Sequence, residues 1–532
     1  MPLAEVRAGM HCTGLSVVRG TEISSFDVEV LDVIADDPAV GGPRILVRVS
    51  GPAIDSTGVG PGFSGSPILC DGRNAGAISE ALGEYGNKVV LATPIEEILR
   101  AEPTRASPSA RRATALLRSA RPLAAPLTVS GLSERTRRLL ARAADRSGRL
   151  VLAAPPGPFG GYAPQELRPG AAVAASLSTG DLSVGAVGTV AYRDGSKVFA
   201  FGHSLDGVGP RQLFLQDAYV FAVIGNPLGI PDLGAITYKL TSSGGHPLGS
   251  ITNDTFSAIA GAVGPEPPSI PLRVTARPKA GGSGVELHSR LADERGLALG
   301  SGLAFVSPLA ASTALDRLLG TVEPVTLSVC MRIRTRELRR PMGFCNPYFD
   351  GLAALTDIAA AAALVDGFEL APLHVEGVAV GMAAKRGVTD DVLVSATAPR
   401  RARAGSRLPV RLVVQRRRGG RHSLTVHVPV PRDLRPGPTT VALAGNGLPG
   451  EEDELVVELV EGLSRGEESP ARSAQAEPRT VEELADQIAA LRRPLGVVAR
   501  FRRRPPRVVL RSDEVRFDGR VRIRFRVLGP RH

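Results

Sequence analysis

The sequence predicts a mainly β protein of several domains, and three observations carry that prediction. It holds 60 glycines and 43 prolines, a density of turn formers that suits many short strands. At 532 residues it is too long for a single hydrophobic core, so two to four domains are expected. A hydrophobic content of 43% with mean hydropathy +0.06 is that of a folded chain. With 4% aromatics and no Trp, the cores must be built from Val, Leu, Ala and Ile.

Residues 1–100 read as a β-rich unit organised around Gly60-Pro61-Gly62-Phe63-Ser64-Gly65-Ser66-Pro67. Glycine at 62 lets the backbone turn so that neighbouring N–H groups converge. Ser64 then lies beside those groups, and the amides of Gly62 and Ser64 are the candidate oxyanion hole. Pro67 cannot continue a helix. Ile68-Leu69-Cys70 followed by Asp71-Gly72 reads as a strand entering a tight turn. A serine loop that opens a hairpin is how double-barrel serine peptidases present their nucleophile. Two competing motifs fail here, because both the G-x-G-x-x-G dinucleotide fingerprint and the G-x-S-x-G elbow need a following helix.

Residues 101–165 read as a connector, Pro/Ser/Arg-rich at first and then a short helix, Glu134 to Ala144, with Ser133 as N-cap. Residues 166–266 form a second β half. Its alternating run from Val184 to Phe201 carries Asp194-Gly195, a strong hairpin signal. His203 follows at a strand end just past Gly202, placed to act as a general base. His11, His246, His288, His374, His422, His427 and His532 have no comparable setting. Residues 267–370 alternate strands with helical stretches at Ala310 to Leu319 and Leu352 to Val365. Residues 371–447 read as an Ig-like β-sandwich and 448–479 as a flexible linker, Ser/Glu/Ala/Arg-rich from 463. Residues 480–532 open on a capping-box helix at Thr480 and continue as basic alternating strands.

Taken together, the serine loop, the Gly202-His203 pair and the blocks around them resemble the SpoIVB-type peptidases, serine peptidase family fifty-five. The supporting blocks are Ala4 to Met10, Gly20 to Ile23, Phe26 to Leu31, Gly76 to Ser79, Thr93 to Leu99, Gly185 to Asp206, Gly249 to Asp254 and Ile259 to Gly261. They cover roughly the first half of the chain. The resemblance implies a double-barrel, trypsin-like core in which Ser64 is nucleophile and His203 general base, acting on a protein or peptide substrate without a cofactor. Two features depart from the family. The serine half precedes the histidine half, and Ser50 stands where the family has its acid. Asp55, Asp206 and Asp217 are the candidate replacements, and Asp217 is favoured because a strand would hold it firmly. The alternative reading is a catalytically degenerate binding or structural protein of the cell envelope on the same scaffold.

The net charge of +11 comes almost wholly from Arg; Lys occurs only at 88, 197, 239, 279 and 385. The densest basic run, Arg400 to Arg403 with Arg416 to Arg418 and Arg421, carries no interleaved aromatics, which argues against nucleic acid as a partner. Anionic cell-surface polymers stay within reach of the electrostatics. No apolar run approaches the ~20 residues of a membrane span. Cys12, Cys70, Cys330 and Cys345 form no C-x-x-C pair, so a zinc site is not expected. Cys330 and Cys345 could pair across a hairpin or stay as two buried thiols. The resemblance implies an extracytoplasmic or secreted location. The first residues read as no signal peptide, which keeps a cytoplasmic location as the alternative.

Overall fold

The computed structural model describes residues 1–37, 42–82, 86–102, 127–147, 151–225, 237–295, 302–320, 324–446 and 477–528. The Pro/Ser/Arg-rich part of the connector and most of the expected linker at 448–479 lie outside these residues.

Six strands close the first barrel: β1 (His11–Arg19), β2 (Glu22–Asp37), β3 (Gly42–Ser50), β4 (Pro67–Cys70), β5 (Arg73–Ala81) and β6 (Val89–Pro94), in the order β1-β2-β3-β6-β5-β4. Asp71 and Gly72 both have positive φ, +50° and +75°, and join β4 to β5 as the two-residue turn read from the sequence. Val28, Val30, Ile45, Val47, Val49, Phe63 and Ile68 fill the interior. Cys12 and Cys70, one residue outside the paired Thr13 and Leu69, are joined by a disulfide. The short helix α1 (Ile95–Leu99) ends the unit.

After β7 (Leu127–Ser130), α2 (Glu134–Ser147) and β8 (Val151–Ala153) comes the second barrel. Ser133 caps α2 as expected, its Oγ accepting from Thr136 N–H at 3.1 Å. The strands are β9 (Ala172–Gly180), β10 (Ser183–Asp194), β11 (Lys197–Ala200), β12 (Gly209–Asp217), β15 (Pro247–Asp254) and β16 (Ile259–Val263). They run β9-β12-β15-β16-β11-β10, and direct β9–β10 pairing closes the ring. Between β12 and β15 the chain makes a separate hairpin, β13 (Val220–Ile224) with β14 (Tyr238–Thr241). Mixed clusters join the barrels. One combines Ala77, Ile95 and Ile98 with Ala191, Phe199 and Ala260; another combines Val17 with Ala172, Ala174, Ala218 and Val220.

Beyond β9 the same sheet continues through β18 (Val285–Ala292), β17 (Ser269–Pro278), β21 (Val375–Arg386), β19 (Val325–Thr335) and β20 (Met342–Tyr348). Helices α3 (Gly302–Leu319) and α4 (Gly351–Asp366) pack against this extension and each other. The sequence reading placed both helices but began the first one two turns late. Cys330 and Cys345 are register partners on β19 and β20, and they form a disulfide.

The C-terminal sandwich differs from the expected 371–447 unit at both ends. Strand β21 belongs to the central sheet, parallel to β17 with Leu272 opposite Val378. The sandwich instead combines β22 (Thr389–Thr397), β23 (Arg401–Arg403), β24 (Arg407–Arg416), β25 (Arg421–Pro429) and β26 (Gly437–Gly445) with four strands after α5 (Val481–Ala490). These are β27 (Gly496–Phe501), β28 (Arg507–Arg511), β29 (Val515–Asp518) and β30 (Arg520–Leu528). Sheets β25-β24-β22-β29 and β23-β30-β26-β27-β28 enclose one core of Val, Leu, Ile and Phe. α5 packs on β20 and α4. No helix among the described residues is long and apolar enough to cross a membrane.

Candidate active site

The serine loop leaves the first barrel and presses its backbone on the second. Gly62 and Gly65 take φ of +96° and +93°, open to glycine and strained for other residues. A Cβ at Gly65 would stand 2.0 Å from Thr189 O and 2.6 Å from Phe201 N, so no side chain fits there. Thr189, on β10, receives the loop: its N–H donates to Ser64 O at 2.8 Å and its hydroxyl to Gly62 O at 2.9 Å. Within the loop Phe63 N–H donates to Gly60 O, Gly65 N–H to Ile78 O and Ser66 N–H to Phe63 O. Among the described residues the amides of Gly62 and Ser64 donate to nothing, while their loop neighbours are all engaged. Ser64 is half-buried. Ser66 is fully buried, with Oγ 2.7 Å from Phe63 O and 2.9 Å from Ser16 Oγ, so its hydroxyl is committed internally.

His203 reaches the same seam. Phe201 and Gly202, just after β11, have φ of +70° and +66°; for a phenylalanine this is a sparsely populated conformation that the surroundings must enforce. Thr93 of the first barrel enforces it in part, donating its hydroxyl to Gly202 O at 2.6 Å. This gives the Thr93-Pro94 block a physical role. Beyond His203, the buried Asp254 accepts the N–H groups of Leu205, Asp206 and Gly207 at 2.8 to 2.9 Å and pins the following turn. Arg211 braces the arrangement through Glu294 (2.8 Å) and Asp206 (2.6 Å), with Asp254 at 3.6 Å. Burial raises Asp254 to about 6, against the pull of Arg211.

The His203 ring is buried, with Nδ1 2.7 Å from Ser204 O. A carbonyl only accepts, so Nδ1 carries the proton and Nε2 is left with a lone pair, the tautomer a general base needs. Burial holds His203 below its ordinary pKa; the Ser204 carbonyl and Glu80 act to raise it and Arg44 to lower it. Glu80 is itself ion-paired with the buried Arg44 at 3.1 Å.

The structure does not assemble the acid the sequence reading favoured. Asp217 is fully buried and committed to His246, not His203. It accepts from His246 N–H (2.7 Å), from the ring Nδ1 (2.9 Å), from Gln165 N–H (2.8 Å) and from Tyr162 OH (2.9 Å). The physical reason is chain path: Gly245 N–H bonds Asp217 O, which brings His246 back over the end of β12. His246, which the sequence gives no setting comparable to that of His203, is the histidine that Asp217 meets. Asp206 is paired with Arg211, and Asp55 with Lys88 at 2.8 Å. Ser50 is exposed at the end of β3. Among the described residues no carboxylate hydrogen-bonds the His203 ring, and no hydrogen bond joins Ser64 Oγ to it. A cavity of about 240 Å³ beside Asp217, lined by Val17, Ile23, Gln165, Arg168 and Ala218, contains neither residue.

One member of the site was invisible in the sequence. Lys239 of β14 is buried beneath the serine loop, its backbone N–H donating to Pro61 O at 2.9 Å. Its Nζ lies 2.7 Å from Ser16 Oγ, 3.2 Å from Thr189 Oγ1 and 4.4 Å from the centre of the Phe63 ring. Lacking a carboxylate partner, it is pushed down to about 7 by burial. The only sequence signal was its rarity, one of five lysines. No cluster of His, Cys, Asp and Glu that could hold a metal occurs among the described residues. Compared with protein-family models, curated proteins and solved structures, the chain matches none.

Proposed function

We propose that the chain is a serine endopeptidase of SpoIVB type, with a trypsin-like double-barrel core and an Ig-like C-terminal module. Ser64 attacks the scissile carbonyl while His203 Nε2 takes its proton. The amides of Gly62 and Ser64 receive the developing oxyanion. The imidazolium then protonates the leaving amine, and water hydrolyses the acyl-enzyme by the same route in reverse. One observation carries this reading: at a single seam between the barrels stand a glycine-turned serine loop with two unspent amides and a neutral histidine whose Nδ1 is the donor. The internal commitment of Ser66 supports Ser64 as the nucleophile.

A second reading, a degenerate cell-envelope binding protein on the same scaffold, draws on the carbonyl that stands where a triad has its carboxylate. Covalent labelling by a fluorophosphonate separates the two. The peptidase reading expects wild-type and Ser66→Ala proteins to label and Ser64→Ala and His203→Ala proteins not to. Wild-type protein that stays unlabelled while folded supports the degenerate scaffold.

A further inference from the structure

The two sheets of the C-terminal sandwich differ in how their arginines are paired. On sheet β25-β24-β22-β29, Arg407 and Arg411 have no acid among the described residues, but three other arginines find one: Arg416 pairs with Asp391 at 3.0 Å, Arg516 with Asp390 at 2.5 Å and Arg417 with Asp518 at 3.1 Å. On sheet β23-β30-β26-β27-β28 the arginines of β30 do not. Strand β30 alternates strictly, sending Val521, Ile523, Phe525 and Val527 into the core and Arg520, Arg522, Arg524 and Arg526 into solvent. Neighbouring strands add to the same outer surface. Arg401 stands directly beside Arg526, and Arg500 of β27 lies in the Arg522 row across Ala442. Among the described residues none of these six arginines has a carboxylate within ion-pair distance.

Like charges opposed on one sheet face repel, so this surface carries an electrostatic cost that an anion would remove. Alternate residues on a strand lie roughly 6.8 Å apart, so the four β30 guanidiniums form a straight line with a regular step. A line fits a linear polymer better than a compact ligand. Arginine binds phosphate in a planar, two-pronged fashion. As many backbone bonds separate successive phosphorus atoms of a glycerol phosphate chain joined through its end carbons as separate alternate Cα atoms of a strand. Between the arginines lie Pro438, Thr440 and Ala442, which offer no ring for a base to stack on. None of the exposed large apolar side chains of the described residues is on this sheet, so nothing there enters a lipid layer.

We propose that this arginine face binds a linear, phosphodiester-linked polyol polymer, holding the protein on an anionic surface layer. The site is independent of Ser64 and His203. The test is fluorescence anisotropy of the full-length protein with labelled poly(glycerol phosphate), from about 50 to 200 mM salt. Wild-type protein is expected to bind, with affinity falling steeply as salt rises, as release of several counterions requires. Replacing Arg520, Arg522, Arg524 and Arg526 together by Gln should weaken binding at least about 100-fold, since each lost phosphate contact removes part of a multi-site interaction. The matching four Arg→Lys changes keep the charge but lose the two-pronged contact, and they should bind more tightly than the Gln protein and more weakly than wild type. Arg407→Gln with Arg411→Gln, on the opposite sheet, should change little. Equal loss from the opposite-sheet pair would overturn the assignment to this face. Tighter binding of a single-stranded polynucleotide or of anionic lipid vesicles would overturn the choice of polymer. Absence of binding by the wild-type protein would overturn the proposal as a whole.

Discussion

Replacing Lys239 by Met should remove a rise in stability that the wild-type protein has between pH 7.5 and 9.5. Lys239 is 3% exposed and meets only hydroxyls and the face of Phe63. Its pKa is about 7 in the fold against an ordinary value of 10.5. Between those values the unfolded chain holds a proton that the folded chain has released, so stability climbs with pH through the window. At 1.36 kcal/mol per pKa unit, the full span of about 3.5 units is worth about 5 kcal/mol, and the two units from 7.5 to 9.5 about 2 to 3 kcal/mol. Other shifted groups act outside this range. Asp254 and Asp366 are raised by burial to about 6 and about 7, with the opposite sign, and their contributions are nearly complete by pH 7.5. His203 is shifted down and acts below its ordinary value. Tyr162 and Tyr348 are shifted up and act above pH 10.

The assay is urea unfolding at half-unit pH steps, following the transition that reports the barrels. Wild-type protein should gain about 1 kcal/mol per pH unit across the window, whereas the Lys239→Met protein should be flat. Near pH 7 the variant should be at least as stable as wild type. Ser16 Oγ still has Ser66 and Thr189 Oγ1 still has Gly62 O, so no polar group is stranded. A wild-type profile that is flat from 7.5 to 9.5, or a slope that survives in Lys239→Met, would refute the assignment of the buried proton to Lys239.

Three further outcomes are expected. Asp254→Asn turns an amide NH₂ toward three backbone donors, so the turn after His203 should loosen; fluorophosphonate labelling of Ser64 should slow at least about 10-fold while the melting transition moves only modestly. Removing Cys12 and Cys70 together frees a loop with a sequence separation of 58, which the chain-entropy relation values at about 4 kcal/mol, read by urea unfolding. Asp217→Asn should cost about 1–3 kcal/mol by leaving one of its buried donors without an acceptor, with Ser64 labelling changed less than about twofold; a loss of 10² or more would return Asp217 to the role of triad acid.

Local chemistry was legible in the sequence, and long-range pairing was not. The turn at Asp71-Gly72 stands where it was read, because two residues with the right φ suffice to specify it, and the hairpin read at Asp194-Gly195 turns at Gly195 and Ser196, with Asp194 paired to Lys197. Ser133 and Thr480 cap their helices for the same reason. By contrast, β27 to β30 complete a sandwich begun before residue 447, and β21 joins β17 across a hundred residues. Nothing in a strand's own alternation names its neighbour. The Cys12–Cys70 disulfide escaped notice likewise, since only barrel closure brings β1 beside β4. At the candidate site, Ser64 and His203 stood out in the sequence because each has a glycine beside it. Lys239 was missed because Tyr238-Lys239-Leu240 reads as an ordinary amphipathic strand. Asp217 was placed on a strand correctly, but its strand position could not say which histidine it would meet.

The electrostatics of His203 bear directly on how such a site can work. In a triad the carboxylate both orients the imidazole and stabilises its cation. Here those two tasks separate. Orientation comes from the Ser204 carbonyl, and the turn that carries it is fixed by Thr93 on one side and by Asp254 with Arg211 on the other. Charge stabilisation falls to Glu80, whose effect on His203 is opposed by its own partner Arg44. On the proposed peptidase reading, a base arranged this way is correctly tautomeric and rigid but poorly able to bear a positive charge, so proton transfer from Ser64 would be the step that suffers. The chemistry is therefore expected to be slow unless a substrate excludes water from the seam and strengthens the Glu80 field there. That condition would restrict turnover to substrates that fill the space between the barrels.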